Sequence, residues 1–301
     1  MRIILTTRFY KNGQTTHVTD LCSELMRQGH EVLLIVTQLH DPDYARWLQG
    51  TKIPYVTTAD PGKIRKCIAR SLPKPQIIHN HSIHTLPLAE TLGELLQIPK
   101  VTTVHYLDFD VDLLGKQDAV VLISQEMQRS FAHLNIVSHV VENGVSLPMH
   151  ACSKKPWQKR ALFLAQVTPA KEKNFLEMTR SLLSWGWTVS SAGNWHHRGV
   201  TSHGWVNDVG TLLKESDMMI GSGRAVRQGM AWGIPAWVLG AYCDGLVTCE
   251  NVTQLEETNF SGRSSRQPFS QSKAAIHLKN PSPDDMRFLG DFGRKRARKY
   301  Y

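Results

Sequence analysis

The sequence predicts an α/β protein with two doubly wound domains facing a cleft. Three observations support this prediction: short apolar strands alternate with amphipathic helices, the alternation is interrupted once, and each half contains a strand–glycine–helix turn. The first turn lies at Gly13 and the second at Gly221–Gly223. A helix start presents backbone N–H groups that can hold a phosphate. The two turns therefore predict a phosphate-bearing ligand held between the domains.

The first half of the chain alternates between strand and helix patterns. The predicted strands are Arg2–Thr7, Glu31–Val36, Pro54–Thr57, Ile77–Asn80, Lys100–His105, Ala119–Ile123 and His139–Val141. One apolar helix face is predicted between the first two strands, formed by Val18, Leu21, Cys22, Leu25 and Met26. Pro87–Leu96 and Gln125–Leu134 are predicted as further helices. This alternation is typical of a parallel sheet that binds ligands at the carboxyl ends of its strands.

The second half repeats the pattern after residues 146–160, whose prolines and charges indicate an interdomain linker. Its predicted strands and helices are Ala161–Ala165, Asn174–Trp185, Thr188–Ala192, Gly210–Glu215, Met218–Ile220, Arg224–Trp232 and Ala236–Leu239. Residues 256–273 are polar and predict a loop. We expect an N-terminal domain at 1–148, a C-terminal domain at 149–282, and a final helix at 283–301 that could cross back to the first domain.

The composition indicates an ordinary globular chain with a basic surface. The 301 residues are 41% hydrophobic and 20% charged, and the net charge is +9. The five cysteines are scattered, which indicates neither a disulfide framework nor a cysteine zinc site. No apolar run suits a membrane span or a signal peptide, which predicts a cytoplasmic protein. The charge favours acidic partners, but no nucleic-acid-binding motif accompanies it, so nucleic acid is not expected.

Several short motifs occur in a fixed order along residues 1–250. They are Gly13–His17, Ile77–His81, Val101–His105, Ile123–Ser124, Asn143–Val145, Lys171, Gly193, Gly204–Val206, Asp217 and Gly223–Pro235. In this order they resemble the retaining, nucleotide-sugar-dependent glycosyltransferases of the GT-B fold, the group 1 or family 4 class. The resemblance implies two Rossmann-like domains, the first binding the acceptor and the second binding the nucleotide sugar.

The resemblance also implies which residues form the site. The catalytic candidates are His105, Lys171 and Arg224. The donor-binding candidates are Gly13, Gln14, Asn143, Gln166, Val206, Gly223 and Gln228, and the acceptor-binding candidates are His17 and His81. Lys171 and Arg224 would offset the charge of the departing diphosphate. Considered singly, Gly13 also fits an ordinary turn, Lys171 a surface lysine and His105 a structural histidine.

His79, His81 and His84 raise the question of a metal site. Strand alternation places His79 and His81 on one face, but the sequence shows neither a nearby carboxylate nor a third placed ligand. The resemblance likewise implies no bound metal. We therefore expect no metal and no cofactor, with a nucleotide sugar, a UDP-sugar above all, as co-substrate.

Three positions depart from the family pattern. Gln228 stands where the second glutamate of "E-x7-E" is expected, with no glutamate at the first position, and Gln166 replaces the arginine of "R-L-x-x-x-K". A glutamine cannot make the charge-assisted bond that a carboxylate makes to a ribose hydroxyl. Arg224, Arg227 and Lys173 are candidates to supply the missing positive charge. A non-catalytic GT-B partner protein and a nucleotide-sugar 2-epimerase therefore stay open as alternatives.

The main hypothesis is metal-independent transfer of a sugar, with retention of configuration, to a glycan, lipid-linked or small-molecule acceptor. Since no protein nucleophile is evident, the resemblance implies that the leaving phosphate helps to deprotonate the acceptor. The basic tail Arg294–Lys299 could lie on an anionic membrane surface, which would make the protein peripheral on the inner face of the membrane. A solvated helix end is the alternative interpretation of this tail.

Overall fold

The structure, a computed structural model, describes residues 1–39, 41–107, 109, 111–148, 156–206 and 208–301. Residues 149–155 of the expected linker thus lie outside the described residues. The chain divides into two compact units, Met1–Glu142 and Asn143–Tyr301. Each unit holds one sheet with helices connecting its strands, which confirms the predicted α/β fold with two doubly wound parts.

The first unit contains a seven-stranded parallel sheet. Its strands are β1 (Arg2–Phe9), β2 (Glu31–Leu39), β3 (Tyr55–Thr57), β4 (Ile77–Asn80), β5 (Lys100–Val104), β6 (Ala119–Leu122) and β7 (Ser138–Val140). They are arranged in the order β3-β2-β1-β4-β5-β6-β7. The central strands β1 and β2 each bury five consecutive residues, as strands covered by helices on both faces do. All seven strands are predicted by the sequence, with small differences at their ends.

Six helices of the first unit are described. They are α1 (Gly13–Arg27), α2 (Pro42–Gly50), α3 (Pro61–Ser71), α4 (Leu86–Leu96), α5 (Val111–Leu114) and α6 (Gln125–Phe131). The sequence analysis did not predict α2 and α3. Asp41 and Asp60 cap them by accepting hydrogen bonds from backbone N–H groups, and a proline follows each cap. An Asp–Pro pair suits a helix start, but it also suits a turn, which explains the omission.

The second unit contains a six-stranded sheet. Its strands are β8 (Arg160–Ala165), β9 (Thr188–Gly193), β10 (Val200–Ser202), β11 (Met218–Gly221), β12 (Ala236–Leu239) and β13 (Cys243–Leu246). The order is β10-β9-β8-β11-β12-β13, and every pair is parallel except β12 with β13. Strands β11 and β12 are entirely buried, so they lie in the core of this unit.

Six helices of the second unit are described. They are α7 (Pro169–Ser184), α8 (Gly210–Glu215), α9 (Arg224–Ala231), α10 (Val252–Glu257), α11 (Gln271–Leu278) and α12 (Pro283–Tyr300). Helix α7 begins at Pro169 rather than at Asn174 as predicted, because proline is well accommodated in a first helical turn. Residues 258–270 form neither helix nor strand, which confirms the middle of the loop predicted at 256–273, whereas residues 256–257 belong to α10 and residues 271–273 to α11.

Helix α12 packs against α9 within the second unit. A Cβ atom on Gly290 would lie 2.2 Å from the carbonyl oxygen of Gly233, so only glycine permits this approach. Within the described part of the chain, no helix has both the length and the apolar character needed to cross a bilayer.

Candidate functional site

The strand order of the first sheet reverses between β1 and β4. In open α/β sheets, ligands bind beyond the carboxyl ends of the strands at such a reversal. The segments that follow β1, β4 and β5 carry Gly13, His81 and His105. The predicted site residues of the first half therefore meet at one edge of this sheet.

Helix α1 begins at this edge with its first turn open to a ligand. The side chain of Asn12 caps the helix and accepts a hydrogen bond from the backbone N–H of Thr15 at 3.0 Å. Gly13 is exposed, and a Cβ atom built on it would meet nothing within 4 Å. Its φ is not positive, so the left-handed freedom of glycine, expected from the sequence, is not used. Open space in front of the backbone is what Gly13 contributes.

Gln14 follows Gly13 and is held against the preceding strand. Its Nε2 atom donates a hydrogen bond to the Thr7 hydroxyl at 3.3 Å. The side chain is half-buried, so its position is set by β1 rather than by solvent.

Three imidazoles from three different elements converge at the same edge. His81 Nδ1 lies 3.3 Å from His105 Nε2, and the His17 ring lies 5.1 Å from that of His105 and 5.6 Å from that of His81, between centroids. His79 packs on His81 at 4.1 Å between ring centroids, which agrees with their predicted placement on one face. The expectation that no third ligand lies near His81 is wrong, because α1 and β5 bring His17 and His105 to it. The cluster forms because α1 turns His17 toward this edge and because β4 and β5 are neighbours in the sheet. The spacing of histidines within one segment of the sequence does not indicate it.

A buried hydrogen-bond network fixes the turn that carries His81. The Asn80 amide oxygen accepts from the hydroxyls of Thr6 at 2.9 Å and Thr85 at 2.5 Å. Its Nδ2 atom donates to the carbonyl oxygen of Ser82 at 3.1 Å. Because all of these groups are buried, breaking one of the bonds would leave an unpaired polar group, at a cost of about 1–3 kcal/mol. The position of the His81 ring is therefore well determined.

Burial keeps the imidazoles of His79, His81 and His105 uncharged. Desolvation, reinforced by the neighbouring histidines, holds the pKa values of His81 and His105 well below the ordinary histidine value. Desolvation also lowers the pKa of His79 to about 4, and its Nε2 atom lies 2.7 Å from the Thr103 hydroxyl. At neutral pH, His79, His81 and His105 therefore present neutral rings that carry both donor and acceptor nitrogens.

Tyr106 is a residue of this edge that the sequence analysis missed. It is exposed, it follows His105 directly, and its hydroxyl accepts a hydrogen bond from Asn12 Nδ2 at 3.3 Å. Its signal was its position immediately after a predicted site residue at a strand end. An exposed tyrosine at such a place offers an apolar ring and a polar tip to a ligand.

The second sheet has its own reversal, between β8 and β11. Leu164 of β8 pairs with Gly221 of β11, so Gln166 and Gly223 both lie two residues beyond the same pair. A Cβ atom on Gly221 would lie 2.5 Å from the Leu164 carbonyl oxygen, which explains why glycine ends this strand. The predicted donor-binding residues of the second half thus flank the reversal.

Lys171 lies in the first turn of α7, next to the end of β8. Its Nζ atom donates a hydrogen bond to the Gln166 carbonyl oxygen at 3.0 Å. Burial lowers the pKa of Lys171 below the ordinary lysine value. The side chain is therefore held at the carboxyl edge of the sheet, unlike a freely solvated surface lysine.

Helix α9 begins at Gly223, which is its N-cap and has a φ of 63°. Arg224, the first residue of the helix, is buried, and Gln228 lies one turn later and is half-buried. Residues four apart share a helix face. The start of α9 therefore combines backbone N–H groups, a guanidinium and an amide on one side.

Arg227 has a structural role that the sequence did not reveal. It is wholly buried, its Nη1 atom donates to the Asn143 carbonyl oxygen at 3.2 Å, and its guanidinium lies 4.6 Å from the centroid of the Tyr301 ring. The hypothesis that Arg227 replaces a missing phosphate-binding charge is therefore wrong. Asn143 is itself buried, and its side-chain oxygen has no hydrogen-bond partner among the described residues.

Two further predicted positions are placed by the core. Val206 is half-buried and packs on a core cluster of the second unit. Asp217 immediately precedes β11 and accepts hydrogen bonds from Arg160, including one from Nε at 3.1 Å. Because Asp217 lies at the amino end of the strand, opposite the edge that carries Gly221, it stabilises the sheet and does not face the site.

The described residues can now be compared with known proteins. Residues 11–147 match the family model described as Glycosyltransferase Family 4. A search of the curated proteins finds no significant match.

Solved structures resemble the whole chain. A structure of Anabaena HepE in complex with UDP and glucose has a TM-score of 0.71 and 14% identity, covering 100% of this chain and 95% of that one. A glycosyltransferase from Rickettsia africae has a TM-score of 0.67 and 14% identity, covering 99% and 93%. A mutant of S. aureus TarM in complex with Fondaparinux, alpha-GlcNAc-glycerol and UDP has a TM-score of 0.70 and 9% identity, covering 100% and 97%.

Fold and family match together define the class of protein: the chain has the GT-B fold of the glycosyltransferases. Residues 11–147 are similar to the Glycosyltransferase Family 4 proteins, and over its whole length the chain is similar in fold to the solved glycosyltransferases. The family match covers the N-terminal unit, which carries Gly13 and the histidine cluster.

Proposed function

We propose that this protein transfers a sugar from a UDP-sugar to a glycan, lipid-linked or small-molecule acceptor, with retention of configuration and without a metal in the transfer step. The observation that carries the proposal is the reversal between β8 and β11, where Lys171 lies beyond the end of β8 and Arg224 begins α9 after the end of β11. HepE, which was solved with UDP and glucose, and TarM, which was solved with UDP, support the choice of UDP.

The departing diphosphate determines what the second unit must supply. Cleavage of the anomeric C–O bond leaves negative charge on the phosphate oxygens, and positive groups aimed at that charge lower the barrier. Lys171 provides an ammonium group in a desolvated position, where a charge–charge interaction is stronger than in water. Arg224 and the N–H groups at the start of α9 add a guanidinium and a helix terminus.

Gln228 is assigned to the donor nucleoside. It lies one turn after Arg224 on the same face of α9 and keeps part of its surface exposed. Its amide can both donate to and accept from a ribose hydroxyl, without the charge that a glutamate would supply. We expect this substitution to weaken donor binding rather than to abolish it.

The first unit is assigned to the sugar and the acceptor. Neutral His105 can exchange hydrogen bonds with sugar hydroxyls, and His17 and His81 line the same edge for the acceptor. The residues assigned here are imidazoles, amides and cations, and none of them carries a carboxylate that could act as the nucleophile. We therefore assign a phosphate oxygen of the departing diphosphate as the base that takes the proton from the acceptor hydroxyl. The acceptor attacks the anomeric carbon on the same face of the sugar from which the phosphate departs.

The exposed charge of α12 supports a peripheral position at the cytoplasmic face of a membrane. Arg294 is buried and Arg296 pairs with Glu256, so three basic residues of the tail face solvent: Lys295, Arg298 and Lys299. Each contributes about 1 kcal/mol at an anionic surface. Such an attraction holds the protein at the membrane only reversibly.

The decisive experiment measures donor binding by isothermal titration with UDP-, GDP-, ADP- and dTDP-sugars. We expect UDP-sugars to bind most tightly, and Lys171→Ala and Arg224→Ala each to weaken binding about 10- to 150-fold, the equivalent of roughly 1.5–3 kcal/mol. Arg180→Ala is the matched control, because Arg180 is an exposed cation near the other end of the same helix. Unchanged affinity in both variants would overturn the assignment of the donor site.

Turnover is tested separately with an acceptor panel. Retention is read from the anomeric proton coupling of the product by NMR, and metal independence from activity in the presence of a chelator. Tight UDP-sugar binding with neither transfer to any acceptor nor hydrolysis of the donor would instead favour the non-catalytic partner protein. An inverted product would contradict the proposed route.

A further inference from the structure

We propose that His17, His81 and His105 form a three-imidazole site for a divalent transition-metal ion of the zinc type. Each offers a ring nitrogen, and these three nitrogens lie within 4.8 Å of one another. This site goes beyond the transfer reaction proposed above, which has no metal in its chemical step.

The distances suit such an ion. A tetrahedral zinc site with Zn–N bonds of about 2.0–2.1 Å has nitrogen–nitrogen separations of roughly 3.3 Å. His81 Nδ1 and His105 Nε2 are already 3.3 Å apart. His17 is half-buried on α1 and its ring nitrogen lies within 4.8 Å of the other two, so ion binding requires this side chain to move toward them.

The scaffold holds the central ligand in place. His81 is completely buried, and the Asn80 network fixes the turn from which it extends. Its Nε2 atom has no hydrogen-bond partner among the described residues, and its Nδ1 atom faces another imidazole. A buried ring with this poor satisfaction costs stability, and ligation of an ion compensates for that cost.

The ligand chemistry selects the ion. Imidazole nitrogens suit Zn²⁺, Co²⁺, Ni²⁺ and Cu²⁺, whereas Mg²⁺ and Ca²⁺ require oxygen ligands. His17 and His105 are both partly exposed, so an ion can reach the site from solvent.

Three protein ligands leave a fourth position open, as in zinc sites that bind water or an exogenous ligand. His105 is the residue assigned to the donor sugar, so a bound ion would withdraw its imidazole from that task. Zinc is therefore expected to inhibit transfer. This consequence rests on the proposed function, whereas the site itself does not.

The test uses the full chain without a polyhistidine tag, because a tag would itself bind the ion and add to the 14 histidines that the chain already contains. After treatment with a chelator, Zn²⁺ binding is measured by isothermal titration and by metal analysis, and Co²⁺ binding by visible absorption. We expect one ion per chain, tetrahedral-type Co²⁺ bands and no binding of Mg²⁺ at this site. His17→Ala should lower Zn²⁺ affinity by more than the roughly 10- to 100-fold that loss of an outer-shell partner costs.

His139→Ala is the matched control, because His139 is exposed on β7 of the same unit. His17 lies half-buried on a helix, where alanine is well tolerated, so the test does not depend on removing buried His81. Equal Zn²⁺ affinity for the His17 and His139 variants, or absence of the tetrahedral Co²⁺ bands, would overturn the site. Because binding is measured without substrate, this outcome is distinguishable from a failure of sugar transfer.

Discussion

Gly13→Ala separates a ligand-binding turn from an ordinary strand-to-helix connection. Gly13 is the first residue of α1, its φ is not positive, and a Cβ atom there would have nothing within 4 Å. The substitution is therefore free of strain and of steric conflict within the protein. Any functional effect must come from the space that the methyl group removes from a ligand.

The expected stability change has the opposite sign from the expected functional change. Alanine is favoured over glycine in a helix by up to about 1 kcal/mol, so the free energy of unfolding should stay the same or rise slightly. A phosphate that approaches the Gly13 backbone would be displaced by roughly 1 Å, which can cost as much as about 100-fold in rate. We expect kcat/KM for the UDP-sugar to fall about 10- to 100-fold.

Thermal unfolding and steady-state transfer kinetics measured on the same preparation test this prediction. Gly50→Ala is the control, because Gly50 ends α2 of the same unit, also lacks a positive φ and also has nothing within 4 Å. It should change neither quantity appreciably. Full activity in Gly13→Ala would refute the phosphate-approach role and identify the turn as purely structural.

Three further outcomes are expected. Gly221→Ala should destabilise the second unit by about 1–3 kcal/mol, because its Cβ would lie 2.5 Å from the Leu164 carbonyl oxygen; urea unfolding with an unchanged midpoint would contradict this close packing. Affinity for UDP should decrease as the pH rises through the lowered pKa of Lys171, because the ammonium charge is present below that pKa and lost above it. The Lys171→Arg variant should lack this decrease, because arginine stays charged. An identical pH profile of UDP affinity for both proteins would exclude Lys171 from the site. Sedimentation with anionic vesicles should decrease when the three exposed basic residues of α12 are neutralised, whereas equal sedimentation with neutral vesicles would assign the tail to a solvated helix end.

Most of the strands could be predicted from sequence because they are short apolar runs, whereas β10 and β13 lack such a run and were not predicted. Parallel strands covered by helices on both faces require such runs, and β1 and β11 show this in their burial. Helices α2 and α3 could not be predicted equally well. Each begins with Asp–Pro, and this pair is compatible with both a helix start and a turn until packing decides.

The site was only partly accessible to sequence reasoning. Motif order predicts His105, Lys171 and Arg224 as site residues, and both their membership of the site and their roles stay predictions. Arg227 illustrates the limit, since an arginine three residues after Arg224 on the same short helix is wholly buried against Tyr301. The rotation of a helix about its axis decides which of its side chains enter the core, and a linear motif does not contain that rotation.

The amino-acid sequence by itself determined the fold class of this protein, since hydrophobic periodicity and the order of short glycine, histidine and lysine motifs are local properties of the chain. Tertiary structure alone decided which of these residues meet. His17, His81 and His105 are separated by long stretches of sequence, yet α1, β4 and β5 bring their imidazoles together. The physical reason is that parallel strands align their carboxyl ends at one edge, whatever the distance between them along the chain.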